Sequence, residues 1–253
     1  MRVLVTFAVD AEFAPWRKLR NLRQNKVGDI VVHQAQIGRA LVDFVVTGMG
    51  AGNATRVANT VMIEPYTICI AAGFAGGLKP EYSVGTVVVA EVVQRLGNPQ
   101  TFTGSRNLVH AARDDGAKMT KLLTSDHVVR TIEEKAQLAP FAGAVDMESF
   151  AILAAAADHH RPALAIRVIS DASDGEIPAF VDAIVDDKGR ISAGHALREV
   201  TRHPLQWPAL LRLGRDSRTA AEALAHFLEA FVKKLSLGSH GWPPPELQEV
   251  ASR

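Results

Sequence analysis

Apolar and polar positions alternate along the chain in two rhythms. Short β-branched runs at 2–7, 29–37, 40–48, 66–73, 85–93, 117–125 and 163–170 read as strands. Between and beyond them, alanine-rich stretches with a helical period predict helices over 9–21, 52–63, 128–138, 147–160 and 215–235. Strands that are apolar on both faces, separated by helices, argue for a mostly parallel sheet covered on both sides. The runs at 29–37 and 40–48 are too closely joined for a crossover, so this part of the sheet should be an antiparallel meander. The expectation is one α/β domain over 1–237, with a central mixed, twisted β-sheet surrounded by helices.

The pattern weakens in three places. Residues 94–106, QRLGNPQTFTGSR, read as a polar loop. From 176 to 214 the chain predicts an extra segment of short helices packed at one edge, with Pro204 and Pro208 as breakers. Residues 238–253 are proline-rich and read as a loose or polyproline-like tail.

Composition narrows the classes. The 253 residues are 47% hydrophobic and 22% charged, enough for a sizeable core. A net charge of +1 gives no electrostatic case for nucleic acid or an anionic membrane surface as partner. The single cysteine, Cys69, cannot form an intramolecular disulfide and sits in an apolar run, where packing is its simplest role. No stretch reaches the roughly 18 uninterrupted apolar residues of a membrane span. The N-terminus lacks the pattern of a signal peptide, since Asp10 and Glu12 follow its short apolar run, so a cytoplasmic location is expected.

The chemistry concentrates where strands run into helices. Gly48, Gly50 and Gly52 follow a strand and open a helix, as in a dinucleotide site, but the next strand ends without the acid that would hold a ribose. Such a loop can still present backbone N–H groups to an anion or a sugar, or serve only as a tight turn. Gly73, Gly76 and Gly77 lie just past another buried strand. Three carboxylates, Glu12, Glu148 and Asp171, stand at strand-to-helix junctions. Singly, each could be a cap or a surface acid. Asp146 and Glu148 flank Met147 in an otherwise apolar stretch, and a charge taken from water there needs a partner or a task.

VTFAVDAEF, TGMGAGNA, AAGFAGGLKPEYSVGTVVVAE, VDMES and RVISDASD occur in this order over residues 1–174. Together they resemble the nucleoside phosphorylase and nucleosidase superfamily, and most of all its 5′-methylthioadenosine/S-adenosylhomocysteine nucleosidases. The resemblance implies that Glu12 activates water, and that Glu148 holds the ribose 2′-hydroxyl with Met147 packed on the sugar. It implies that Asp171 protonates or hydrogen-bonds N7 of a purine, and that Val128 and Val129 contact the base edge through their backbone. Gly50, Phe74 and Gly76 would complete the substrate site, and Asp146 would be structural. Breaking an N-glycosidic bond passes through a cationic sugar, so carboxylates beside the sugar and an acid beside the base suit the reaction.

Departures from the family pattern raise alternatives. Phe74 replaces a serine of the nucleosidase motif, and the arginine with which hexameric phosphorylases hold phosphate is missing before the glycine loop. Arg17, Arg56 and Arg167 are the basic residues near the motifs. Hydrolysis is therefore favoured, with inorganic phosphate a co-substrate only in a phosphorylase, and no cofactor or metal expected. The stretch RHPLQWPALLRLGRDSRTAAEAL resembles hopanoid-associated phosphorylase-like members, which keeps phosphorolysis of an adenosyl-hopane lipid open. A non-catalytic nucleoside-binding protein is the rival outside enzymes. The resemblance also implies a homodimer.

Overall fold

The computed structural model describes residues 1–178 and 207–238. Among the described residues there are ten strands: β1 (Arg2–Phe7), β2 (Arg23–Val27), β3 (Ile30–Ile37), β4 (Ala40–Val46), β5 (Ile68–Gly77), β6 (Val87–Arg95), β7 (Thr101–Thr103), β8 (Lys118–Thr124), β9 (Ala144–Asp146) and β10 (Ala163–Asp171). The helices are α1 (Asp10–Leu19), α2 (Ala51–Val61), α3 (Arg106–Asp114), α4 (Ile132–Leu138), α5 (Ser149–Asp158) and α6 (Trp207–Ser236).

All strands belong to one mixed sheet. One wing is a meander, β4–β3–β2, of which the β3–β4 pair was expected, attached through the parallel β1–β4 pair. The other wing closes on itself, because β5 pairs with β10, β10 with β6, β6 with β8, β8 with β9, and β9 returns to β5. Parallel and antiparallel pairings are equal in number among the described residues, so the sheet is less parallel than expected. The reason is that β9, β10 and β7 turn back against β5 and β6 to complete the closed wing.

Strand alternation sorts the core into two layers. Val3, Val5 and Phe7 of β1 face Phe13 and Trp16 of α1 and Leu224, Leu228 and Phe231 of α6. Leu4 faces the opposite layer, with Val57 and Val61 of α2 and Ile152 of α5. Cys69 lies buried in that second layer, as packing.

Several boundaries differ from the sequence reading. The 94–106 loop contains the end of β6 and the short β7, whose pairing with β6 recruits polar Thr101 and Thr103 into the ladder. β2 is a polar edge strand, RQNKV, which carries no apolar alternation to reveal it. The C-terminal helix begins at Trp207, not 215. Pro208 does not break it, because a proline in a first helical turn lacks only an N–H that would have no partner there. The remainder of the 176–214 segment, from 179 to 206, and the tail from 239 lie outside the described residues. Among the described residues, no helix is long and apolar enough to cross a membrane.

Candidate active site

The end of β5 and the segments at the ends of β1, β4, β8, β9 and β10 converge on one cavity, where α/β sheets bind ligands. Its volume is about 860 Å³. Its residues include Glu12, Phe74, Gly76, Val128, Val129, Met147, Glu148 and Asp171. Gly50 is not among them. Met49 lines the wall instead, and the Gly50 N–H donates to Glu148 Oε1 at 2.8 Å. The anion at the start of α2 is thus the protein's own carboxylate, and Gly50 holds the left-handed φ of 86° at that helix cap.

Glu12 sits in the first turn of α1 with 3% of its surface exposed. Its Oε2 accepts from the backbone N–H groups of Ala8 (2.7 Å) and Val9 (3.0 Å), and its Oε1 from that of Phe74 (2.7 Å). The helix turn and strand β5, whose glycines lie within the strand rather than past it, therefore fix the carboxylate from both sides. Burial pushes its carboxyl above the ordinary range, against the nearby Arg167 charge and the three N–H groups. Gly73 makes this approach possible, because a Cβ there would stand 2.7 Å from Glu12 Oε1 and 2.5 Å from Arg167 Nη1.

Arg167 is the functional residue whose place the sequence did not disclose. Its side chain on β10 is 1% exposed and lies beneath the cavity. Nη2 pairs with Asp146 Oδ2 at 2.7 Å, Nη1 stands 3.7 Å from Glu148 Oε2, and Nε donates to Ser149 Oγ at 3.0 Å. Asp146 also accepts from Thr124 Oγ1 (2.7 Å) and from the Ser149 N–H that opens α5 (3.1 Å). It is both cap and ion-pair partner, which accounts for an acid at the end of β9. A lone arginine inside the apolar strand ALAIRVIS was the available signal, since such a charge must find carboxylates. Burial pushes the Glu148 carboxyl up to about 7, opposed by Arg167 and Gly50 and reinforced by the charges of Asp146 and Glu12.

The other end of the cavity is built differently. A register shift in the β10–β5 pairing between Ile169 and Asp171 brings Asp171 opposite Gly76. A Cβ on Gly76 would meet Asp171 Oδ2 at 3.1 Å, so the absent side chain makes room for it. Asp171 Oδ1 accepts from Ser170 Oγ at 2.8 Å, and Oδ2 pairs with Lys135 Nζ at 2.7 Å. Thr131 caps α4 with Glu134, whose side chain accepts from the Arg130 and Thr131 N–H groups. The helix therefore starts at 132 rather than 128, and Val128 and Val129 remain in the loop beside the cavity. His127, which the sequence did not single out, lines the same end.

The third wall is formed by α1 and α6. Ala11, Ala14, Pro15 and Leu19 face Leu213, Ala221 and Ala225, with Lys18, Arg218, Glu222 and His226 among them. The helical period of 215–235 predicted a packed helix here but not a ligand wall.

This arrangement belongs to a known class. A family model described as the phosphorylase superfamily matches residues 3–202, and the chain belongs to that superfamily. It is 30% identical to a futalosine hydrolase of Streptomyces coelicolor over 178 residues, covering 56% of this chain and 76% of that protein. It is 24% identical to a 5′-methylthioadenosine/S-adenosylhomocysteine nucleosidase of Staphylococcus saprophyticus, covering 67% of this chain and 85% of that one. Among solved structures, futalosine hydrolase of Helicobacter pylori superposes with a TM-score of 0.72 at 17% identity, over 92% of this chain and 98% of that one. The Neisseria meningitidis nucleosidase in complex with methylthio-immucillin-A gives a TM-score of 0.70 at 21% identity, over 92% and 99%. These likenesses bear out the α/β fold expected from the sequence.

Proposed function

We propose that the protein hydrolyses the N-glycosidic bond of a purine nucleoside, with Glu12 as the base for water, Glu148 and Met147 on the sugar, and Asp171 at the base. The observation that carries this reading is the fixed, buried Glu12 carboxylate in the cavity wall, with its affinity for a proton raised above the ordinary carboxylate range by burial. A general base is most effective when its pKa approaches the working pH. Water attacks C1′ as its proton passes to Glu12, while the glycosidic electrons leave with the purine. Carboxylates at the sugar strengthen their interaction as positive charge develops on it.

Among the described residues, a phosphate dianion has no comparable holder beside Glu12. The Arg167 guanidinium is committed to Asp146, Ser149 and Glu148 below the cavity. Lys18 lies six residues further along α1, about 9 Å of helix rise away, and Arg218 is paired with Glu222 at 2.9 Å. The 5′ substituent is read to lie along the apolar α1–α6 wall. The cavity is near the upper end of the usual range of roughly 300–1,000 Å³, which supports a second reading in which that substituent is large and apolar, as in an adenosyl lipid. A homodimer belongs to the same proposal, and sedimentation at micromolar concentration tests it.

The deciding experiment incubates the protein with methylthioadenosine, adenosylhomocysteine, adenosine and inosine, with and without phosphate. Free base and free sugar, undiminished in phosphate-free buffer, are expected. A sugar 1-phosphate formed only with phosphate overturns hydrolysis. Tight binding without base release favours a nucleoside-binding protein.

A further inference from the structure

Lys135 is a lysine with no exposed side-chain surface, and it points at an acid that lines the cavity. Its ammonium has three partners: it donates to Ala172 O at 2.7 Å and Gly175 O at 2.8 Å, and it forms an ion pair with Asp171 Oδ2 at 2.7 Å. Two of these are backbone carbonyls, which accept a hydrogen bond but do not take the proton. The third is a carboxylate, which can. If the proton shared with Asp171 crosses, the neutral amine still donates to both carbonyls, and its lone pair accepts from the new carboxyl O–H. The transfer therefore leaves both backbone carbonyls with their donor.

The same contacts hold the loop in place. Ala172 and Gly175 belong to the segment after β10, which is also tied to the β8–α4 loop by the Ile177 N–H donating to Arg130 O at 3.1 Å. Asp171 itself accepts from Ser170 Oγ on Oδ1 and is ion-paired with Lys135 through Oδ2. That ion pair places a proton donor beside the carboxylate. The purine needs one as it leaves.

We propose that Lys135 is the positioning residue that supplies, through Asp171, the proton taken by the departing base. The inference rests on the hydrolytic reading above. The C1′–N9 bond breaks with its electron pair on the purine, N7 takes a proton from Asp171, and Asp171 takes one from Lys135. Water contributes its oxygen to C1′ and its proton to Glu12. Glu12 then holds one proton more and Lys135 one fewer, and solvent entering the emptied cavity restores both.

The test compares wild type, Lys135→Gln, Lys135→Arg, Asp171→Asn and the Asp171→Asn/Lys135→Gln double variant on whichever purine nucleoside the wild type cleaves. Lys135→Gln should lower kcat by about 10²-fold, the lower part of the general-acid range, with KM changed less than about three-fold. Lys135→Arg should fall equally, because a guanidinium keeps the charge but does not release a proton. In the Asp171→Asn background, Lys135→Gln should cost nothing more, as expected of two residues acting in one step. Affinity for a 7-deazapurine nucleoside, which has no N7 to protonate, should survive in every variant.

Wild-type kcat in Lys135→Arg reduces the role to charge and overturns the proposal. So do additive losses in the double variant, or loss of 7-deazapurine binding in parallel with kcat. Should Lys135→Gln not fold, Lys135→Arg decides by the same two readouts. A wild type that releases no base from any purine nucleoside fails the hydrolytic reading itself, and does so before any variant is compared.

Discussion

The two ends of the cavity handle buried charge in opposite ways. At the end proposed to hold the sugar, the Arg167 guanidinium faces three buried carboxylates, those of Asp146, Glu148 and Glu12. At the base end, one ammonium faces one carboxylate, Lys135 against Asp171. The first cluster is under-neutralised, and an approaching cation relieves it. The second is balanced and holds a proton that can move. An N-glycosidic bond separates into a sugar that becomes cationic and a base that becomes anionic, so the charge imbalance of each end suits the fragment assigned to it.

Removing the Arg167 guanidinium should have the largest effect on the molecule. Arg167→Leu leaves Asp146 and Glu148 buried without their partner, and breaking such a network costs about 3–5 kcal/mol. The midpoint of urea unfolding at pH 7 should fall accordingly, or the variant should fail to accumulate. A midpoint within experimental scatter of wild type would mean that Arg167 does not hold the cluster together.

The next effect falls on turnover rather than stability. Glu12→Gln removes the proton acceptor while its amide oxygen can still receive the Ala8 and Val9 N–H groups. Turnover should drop by about 10²–10⁴-fold, the usual contribution of a general base, with ligand binding retained in a titration. Unchanged turnover would remove Glu12 from the chemistry and erase the contrast with the base end.

The sugar end was the more legible of the two in the sequence. VDMES and the apolar helix after it mark Glu148, and an acid in the first turn after β1 marks Glu12. What stayed hidden was the countercharge, because strand periodicity says nothing about which strands become neighbours. Arg167 reaches Asp146 only because β10 pairs with β5 and β5 with β9, a closure that depends on a three-residue strand without a pattern of its own. Lys135 was hidden for a related reason. In IEEKAQL it resembles any solvent-facing lysine, and only the loop folded over it from 172 to 175 buries it. The alternating strands and amphipathic helices were readable because burial imposes their periods. The polar edge strand β2 and short β7 answer to pairing alone.

The smallest effect expected is also the one whose sign separates the two ends most sharply. The Glu148 carboxyl is pushed from its ordinary value of 4.5 up to about 7, chiefly by burial. A raised carboxyl means that the folded state binds this proton more tightly than the unfolded chain. Its contribution to stability is therefore complete below about pH 4.5 and is lost as the pH rises through about 7. Glu148→Gln keeps an acceptor for the Gly50 N–H but has no charge to bury. The variant should be more stable than wild type at pH 8, on the order of 1–3 kcal/mol, and should lose that advantage toward pH 5. Glu12, shifted in the same direction, leaves part of the pH slope in place. Urea unfolding at pH 5, 6, 7 and 8 reads this directly, alongside weakened nucleoside binding from the lost sugar contact. A variant that tracks wild type in parallel at every pH, or is less stable at pH 8, would show that Arg167 fully neutralises Glu148. The sugar end would then be as balanced as the base end, and its preference for a developing cation would need another source.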